Sequence, residues 1–211
     1  MSHSYDEAKK EKVRRILIKH INKVFVSRPK LKITTLASGE GLCVKAFVDS
    51  LTEPVITNVE RDLVILKKFK KLKLPATSVL SDFETHYDKS GGGDVLFLDL
   101  CGFLSEGSNA RLLYKLNTRA DFKIVAVTLQ DHKTYKAVRG NPKSKFIAKL
   151  NAMKAGTDDV VRDKVFSTMT NYWPAEIVAY RKTNVANPTP MQTYMFHIKD
   201  LPKPRFKFTQ L

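Results

Sequence analysis

The sequence predicts an α/β protein whose doubly wound, mostly parallel sheet of seven strands is closed by an antiparallel hairpin. Three observations predict it. Leu31 to Asp62 reads as strand, glycine turn, helix and strand, which is one βαβ unit. Two apolar runs, DVLFLDLCG from Asp94 and FKIVAVT from Phe122, have the composition of strands buried on both faces. Segments with apolar residues at helical spacing lie between the strand-like runs, so strands and helices alternate along the chain.

Taken in order, Val13, Ile16, Leu17, Ile21 and Val24 recur at spacings of three and four and place a helix over Tyr5 to Phe25. Residues 1–28 therefore form a basic amphipathic helix packed on the domain, whose Lys9, Lys10, Lys12, Arg14, Arg15, Lys19 and Lys23 serve either a solvated or a phosphate-contacting face. The domain occupies residues 29–200. Its first strand is Lys32 to Leu36, its first crossover helix Leu42 to Leu51 and its second strand Val55 to Val59, delivering Glu60. Leu63, Leu66 and Phe69 place a second crossover helix over Asp62 to Leu72. Thr77 to Leu80 is a short strand, and Glu84 to Gly93 reads as a loop closed by three glycines. Ser108 to Leu116 and Asp158 to Tyr172 are helical, with Asp158 and Asp159 favourable at the amino end of the latter. The strands Glu176 to Lys182 and Met191 to Ile198 form the closing hairpin. Residues 201–211, basic and broken by prolines, are expected to lie loose on the surface.

Composition bounds the function. The 211 residues suit one domain. Thirty-seven Lys and Arg against 21 Asp and Glu leave a net charge of +16, which attracts polyanions, so nucleic acid, DNA or RNA, is the expected partner. No apolar run approaches the roughly 18 to 20 residues of a membrane span, and the charged start lacks a signal core, so an intracellular protein is expected. Cys43 and Cys101 are too few for structural zinc and are expected to be free thiols. His20, His86, His132 and His197 fall singly without metal-ligand spacing, and no Lys-Ser/Thr follows the glycine turn, so neither a metal nor nucleotide hydrolysis is expected.

The βαβ unit carries the first functional signal. In such units the turn after the first strand opens a crevice, glycines admit close approach of a ligand, and an acid about 20 residues on binds ribose hydroxyls. Gly39 and Gly41, followed by Glu60, fit that pattern. A tight turn between strand and helix would use the same glycines.

Seven strands with five parallel members, a glycine turn after the first, an acid after the second and a closing hairpin resemble the class I S-adenosylmethionine-dependent methyltransferases, a Rossmann-like family, over roughly residues 30 to 200. Gly39 and Gly41 match the family's Gly-x-Gly, whereas Ala37 stands where the family has an acid and Cys43 where it has a third glycine. The resemblance implies S-adenosylmethionine as cofactor, bound by Gly39, Gly41, Glu60, Asp82 and Asp99. Glu60 would accept from the ribose hydroxyls, Asp82 from the adenine amino group, and Asp99 would face cofactor and substrate as the catalytic residue.

The motifs that specify a target are absent or altered. Asp99-Leu100-Cys101-Gly102-Phe103 lacks the prolines of enzymes that methylate exocyclic amines, and Leu100 precedes Cys101 where cytosine-carbon enzymes place proline. Two readings follow: a methyltransferase acting on nucleic acid, or a methyltransferase-fold module without catalysis that binds nucleic acid or another partner. A dinucleotide-dependent oxidoreductase fits the hairpin less well. In either of the first two, the basic stretch from Gln130 to Gly156 is expected to be the substrate arm, through Lys133, Lys136, Arg139, Lys143 and Lys145.

Overall fold

The computed structural model describes residues 7–36, 39–100, 107–130, 157–181 and 190–211. Its elements in chain order are α1 (Glu7–Phe25), β1 (Lys32–Leu36), α2 (Leu42–Ser50), β2 (Val55–Glu60), α3 (Leu63–Lys71), β3 (Thr77–Leu80) and α4 (Phe83–Ser90). After these come β4 (Gly93–Asp99), α5 (Gly107–Arg119), β5 (Phe122–Gln130), α6 (Thr157–Thr168), β6 (Tyr172–Arg181), β7 (Pro190–Ile198) and β8 (Lys207–Gln210). The strands form one sheet in the order β3-β2-β1-β4-β5-β7-β6-β8. Among the described strands β7 alone runs antiparallel, paired with β5 on one side and β6 on the other.

The order reverses between β1 and β4, and the two faces of the sheet follow from it. Chain moving outward from β1 through β2 to β3 places α2 and α3 on one face, with α1 beside them, over Ile33, Ile56, Val95, Phe97 and Ile124. Return of the chain to β4 and then β5 places α4 and α5 on the other, with α6, over Leu96, Leu98, Val125 and Val127. Right-handed crossovers in both directions produce this division. The apolar stripe of α1 buries Val13, Leu17, Ile18 and Ile21.

Local chemistry starts the crossover helices. Asp62 accepts from the N–H groups of Val64 at 2.7 Å and Ile65 at 3.3 Å, and Asp82 from that of Thr85 at 2.8 Å, so each aspartate satisfies donors that a helix start leaves open. Gly41, before α2, has φ of +63°, and a Cβ there would lie 2.5 Å from Leu74 Cδ1. Gly41→Ala should therefore lower stability by about 1 to 3 kcal/mol, from left-handed strain plus displacement of Leu74 and Leu72. Urea unfolding at constant slope measures this, and an unchanged midpoint would show that the turn relaxes without cost.

Three expectations are corrected. Glu84 to Gly93 is largely helix, because Phe83 and Tyr87, one turn apart, are both buried and stack with ring centroids 5.7 Å apart. The helix expected to reach Tyr172 stops at Thr168, where the Asn171 N–H donates to Asn117 Oδ1 at 2.6 Å and β6 begins. The terminal segment does not lie loose. Its residues 207–210 are an eighth strand parallel to β6, registered Glu176 against Lys207 through Ala179 against Gln210.

Candidate functional site

A doubly wound sheet binds its ligands outside the carboxyl ends of the strands, where the order reverses. Here that place is the end of β1, flanked by the ends of β2 and β4. Glu60 closes β2 and Asp99 closes β4, so two carboxylates stand on either side of the glycine turn that follows β1. The strand pairing brings together three of the expected elements.

Glu60 is half-buried, and its Oε1 accepts from the Asp62 N–H at 2.9 Å. One oxygen is thereby tied to the turn that starts α3, which fixes the carboxylate at the strand end. Two residues earlier on the same face, Asn58 is fully buried, and neither atom of its amide has a hydrogen-bond partner. A buried amide left without partners costs about 1 to 3 kcal/mol, so polar groups from outside the chain are favoured beside Glu60. Gly39 has no strict steric duty within the fold: a Cβ would meet Lys68 and Ile65 at an ordinary 3.6 to 3.8 Å. Gly41, in contrast, is required by its own backbone.

Asp99 forms an ion pair with Lys10, reaching across from α1. One turn further along α1, Arg14 is buried and paired with Glu7. Arg14, Lys10 and Asp99 all lie close enough to the Cys43 thiol to act on it electrostatically. Burial outweighs the two cations and pushes Cys43 up to about 11, so the thiol is protonated at neutral pH and is no nucleophile. The cluster is a charged seam between α1 and the end of β4. Sequence periodicity held a clue to it, since Lys10 and Arg14 fall in helical step with Leu17 and Ile21. Cations on an apolar stripe are groups that must find buried partners.

Asp82 stands one strand further out. It is exposed, and its hydrogen bonds with Thr85 hold its carboxyl below the usual range. Its placement is that of a helix cap. Ala37, Cys101, Phe103 and the arm residues Lys133, Lys136, Arg139, Lys143 and Lys145 lie outside the described residues.

The histidines, expected to be isolated, are not all so. His20 of α1 meets His197 of β7 with 3.1 Å between Nδ1 and Nε2, and its Nε2–H donates to Glu176 Oε2 at 3.0 Å. Thr209 of β8 donates to the other oxygen of Glu176 at 2.6 Å. With its Nε2–H engaged by Glu176, His20 meets His197 through its other ring nitrogen, Nδ1. His197 pairs in register with Trp173, near the start of β6, so this network lies toward the amino end of the sheet and fastens α1, β6, β7 and β8 together. Among the described residues no group of three His, Cys, Asp or Glu side chains is placed to hold a metal ion. No helix among them is long and apolar enough to cross a membrane.

No protein-family model matches the sequence, and comparison with curated proteins finds no match. Solved structures do match. The plantazolicin methyltransferase BpumL, in complex with S-adenosylhomocysteine, superposes with a TM-score of 0.57 at 10% identity over 88% of this chain and 82% of its own. The methyltransferase domain of bacterial CtHen1 gives 0.57 at 14% identity over 91% and 99%. A putative RNA methyltransferase from Pyrococcus horikoshii gives 0.52 at 10% identity over 93% and 87%. The sheet, its reversal between β1 and β4 and its closing hairpin thus make up the Rossmann-like fold of the class I S-adenosylmethionine-dependent methyltransferases.

Proposed function

We propose that this chain transfers a methyl group from S-adenosylmethionine to nucleic acid. The observation that carries the reading is the placement of Glu60 and Asp99 on the two strands flanking the glycine turn, at the reversal point of the sheet. The residues fit the cofactor. Glu60 keeps its second oxygen for ribose hydroxyls while the first holds the turn, the buried amide of Asn58 lies beside it, and Gly39 allows close approach to the backbone. When bound, the cofactor supplies an electrophilic methyl group on a sulfonium.

The rest of the work falls to the chain. Asp99, held by Lys10, is a fixed acceptor at the mouth of the crevice and orients a target N–H or O–H so that its lone pair points along the line of transfer. The net charge of +16 draws the polyanionic substrate to the site. The methyltransferase-fold module without catalysis is the second reading. The Lys10 to Asp99 ion pair, together with Cys43 in place of a glycine, is what favours it.

Titration with S-adenosylhomocysteine, followed by transfer of labelled methyl to RNA and DNA, tests the proposal. Asp99→Asn should reduce transfer by about 100-fold or more while the circular dichroism spectrum stays unchanged. Undiminished turnover in that variant would remove Asp99 from the catalytic machinery. A wild-type protein that binds nucleic acid but not S-adenosylhomocysteine would decide for the second reading.

A further inference from the structure

The segment Lys203-Pro204-Arg205-Phe206-Lys207-Phe208 ends in the outermost strand of the sheet, and its side chains follow an alternation of cation and ring. Phe206 and Phe208 are 45% and 58% exposed, large apolar surfaces for an edge strand. Phe206 meets Phe166 of α6 edge-on, with centroids 6.0 Å apart, so it lies on the α6 side of the sheet. Phe208, two residues on, shares that side. Thr209 turns the other way, onto Glu176 beneath α1, and Lys207 shares its side. Arg205 and Lys207 are exposed and form no ion pair among the described residues, while Lys203 lies over the Trp173 ring at 4.9 Å. An edge strand leaves both of its sides open to one ligand, so rings and cations are accessible together.

We infer that this edge is a binding platform for single-stranded nucleic acid, with bases stacked on Phe208 and Phe206 and phosphates met by Arg205 and Lys207. The inference rests on the reading of the chain as a nucleic-acid methyltransferase and adds to it the form of the substrate and where it lies. Base stacking on aromatic rings flanked by cations is the general mode of sequence-tolerant single-strand binding. A duplex keeps its bases inside and would leave the rings unused. The competing occupant of an open edge is a protein strand, and the cations at positions 203, 205 and 207 oppose pairing with a second, equally basic copy. Four strand spacings separate β8 from β4, about 19 Å across the sheet, and β8 runs toward the same carboxyl edge as Asp99, so a single strand on the platform would reach the crevice by passing over that edge to the α1 side.

Fluorescence anisotropy with a labelled mixed-sequence single-stranded oligonucleotide, and with its duplex, tests this on the full chain. Single strand should bind more tightly than duplex, Phe208→Ala should weaken it about 10-fold, and Phe208→Trp should restore it. Phe206→Ala in addition should weaken it further, although that ring also packs on Phe166, so the Phe208 variants carry the test. Arg205→Ala with Lys207→Ala should lower the log-log salt slope by about 1.4, which the phenylalanine variants should leave alone. Wild-type affinity in Phe208→Ala, preference for duplex, or no binding of single strand would each overturn the platform. S-adenosylhomocysteine titration of the same proteins separates the two ideas. Cofactor binding without single-strand binding removes the platform alone, whereas single-strand binding through Phe208 without cofactor binding keeps the platform and removes the methyl transfer.

Discussion

Acidification from pH 6.5 to pH 4 should cost the fold up to about 3 kcal/mol through His197 alone. Its side chain is 3% exposed, and burial, with His20 and Lys23 nearby, lowers its pKa from the ordinary 6.5 to about 4. The folded state therefore resists a proton that the unfolded chain accepts. Stability from this group is complete above pH 6.5, falls as the pH drops toward 4, and changes no further below that. The slope for one proton is about 1.4 kcal/mol per pH unit. Urea unfolding between pH 6.5 and 5 lies above the range in which most carboxylates titrate, and His86, whose pKa burial also lowers, contributes alike to wild type and to a variant at His197. His197→Gln keeps a polar group, able to donate or accept, near the position of Nε2 for the His20 Nδ1 while removing the titration, so its stability should vary less over that interval. Equal slopes for the two proteins would show that His197 is not the group being protonated.

The same network shows what could be read from sequence and what could not. The βαβ unit, the two buried strands and the hairpin are local patterns and all form, although the first hairpin strand begins at Tyr172 rather than at Glu176. Even the aspartates before α3 and α4 act as local signals, since a cap needs only the N–H groups two or three residues on. What escaped depends on partners remote in the chain. His20 and His197 are 177 residues apart, and Lys10 and Asp99 are 89 apart, so no window contains either pair. The eighth strand was hidden for another reason. Pro202 and Pro204 break the pattern before it, and only the open edge of β6, which no local rule reveals, gives residues 207–210 a partner. At the site, spacing pointed to Glu60 and the family resemblance to Asp99 as candidates, while the orphaned amide of Asn58 needed the packed sheet to be seen.

Glu60→Ala should weaken S-adenosylhomocysteine binding by about 2 to 3 kcal/mol, roughly 30- to 150-fold, because a charged acceptor of ribose hydroxyls is lost. Glu60 also accepts from the Asp62 N–H, so the same change loosens the turn before α3. A control separates the two effects. Asp62→Ala removes the cap that Val64 and Ile65 rely on and should lower stability by about 1 kcal/mol without touching the ribose site, leaving cofactor affinity unchanged. Glu60→Gln keeps two polar atoms but gives up the charge and one acceptor, so its affinity should fall between wild type and alanine. Calorimetry orders the four proteins. If Asp62→Ala weakens binding as much as Glu60→Ala, the carboxylate of Glu60 serves the turn rather than the ligand, and the cofactor contact belongs to another residue at the end of β2.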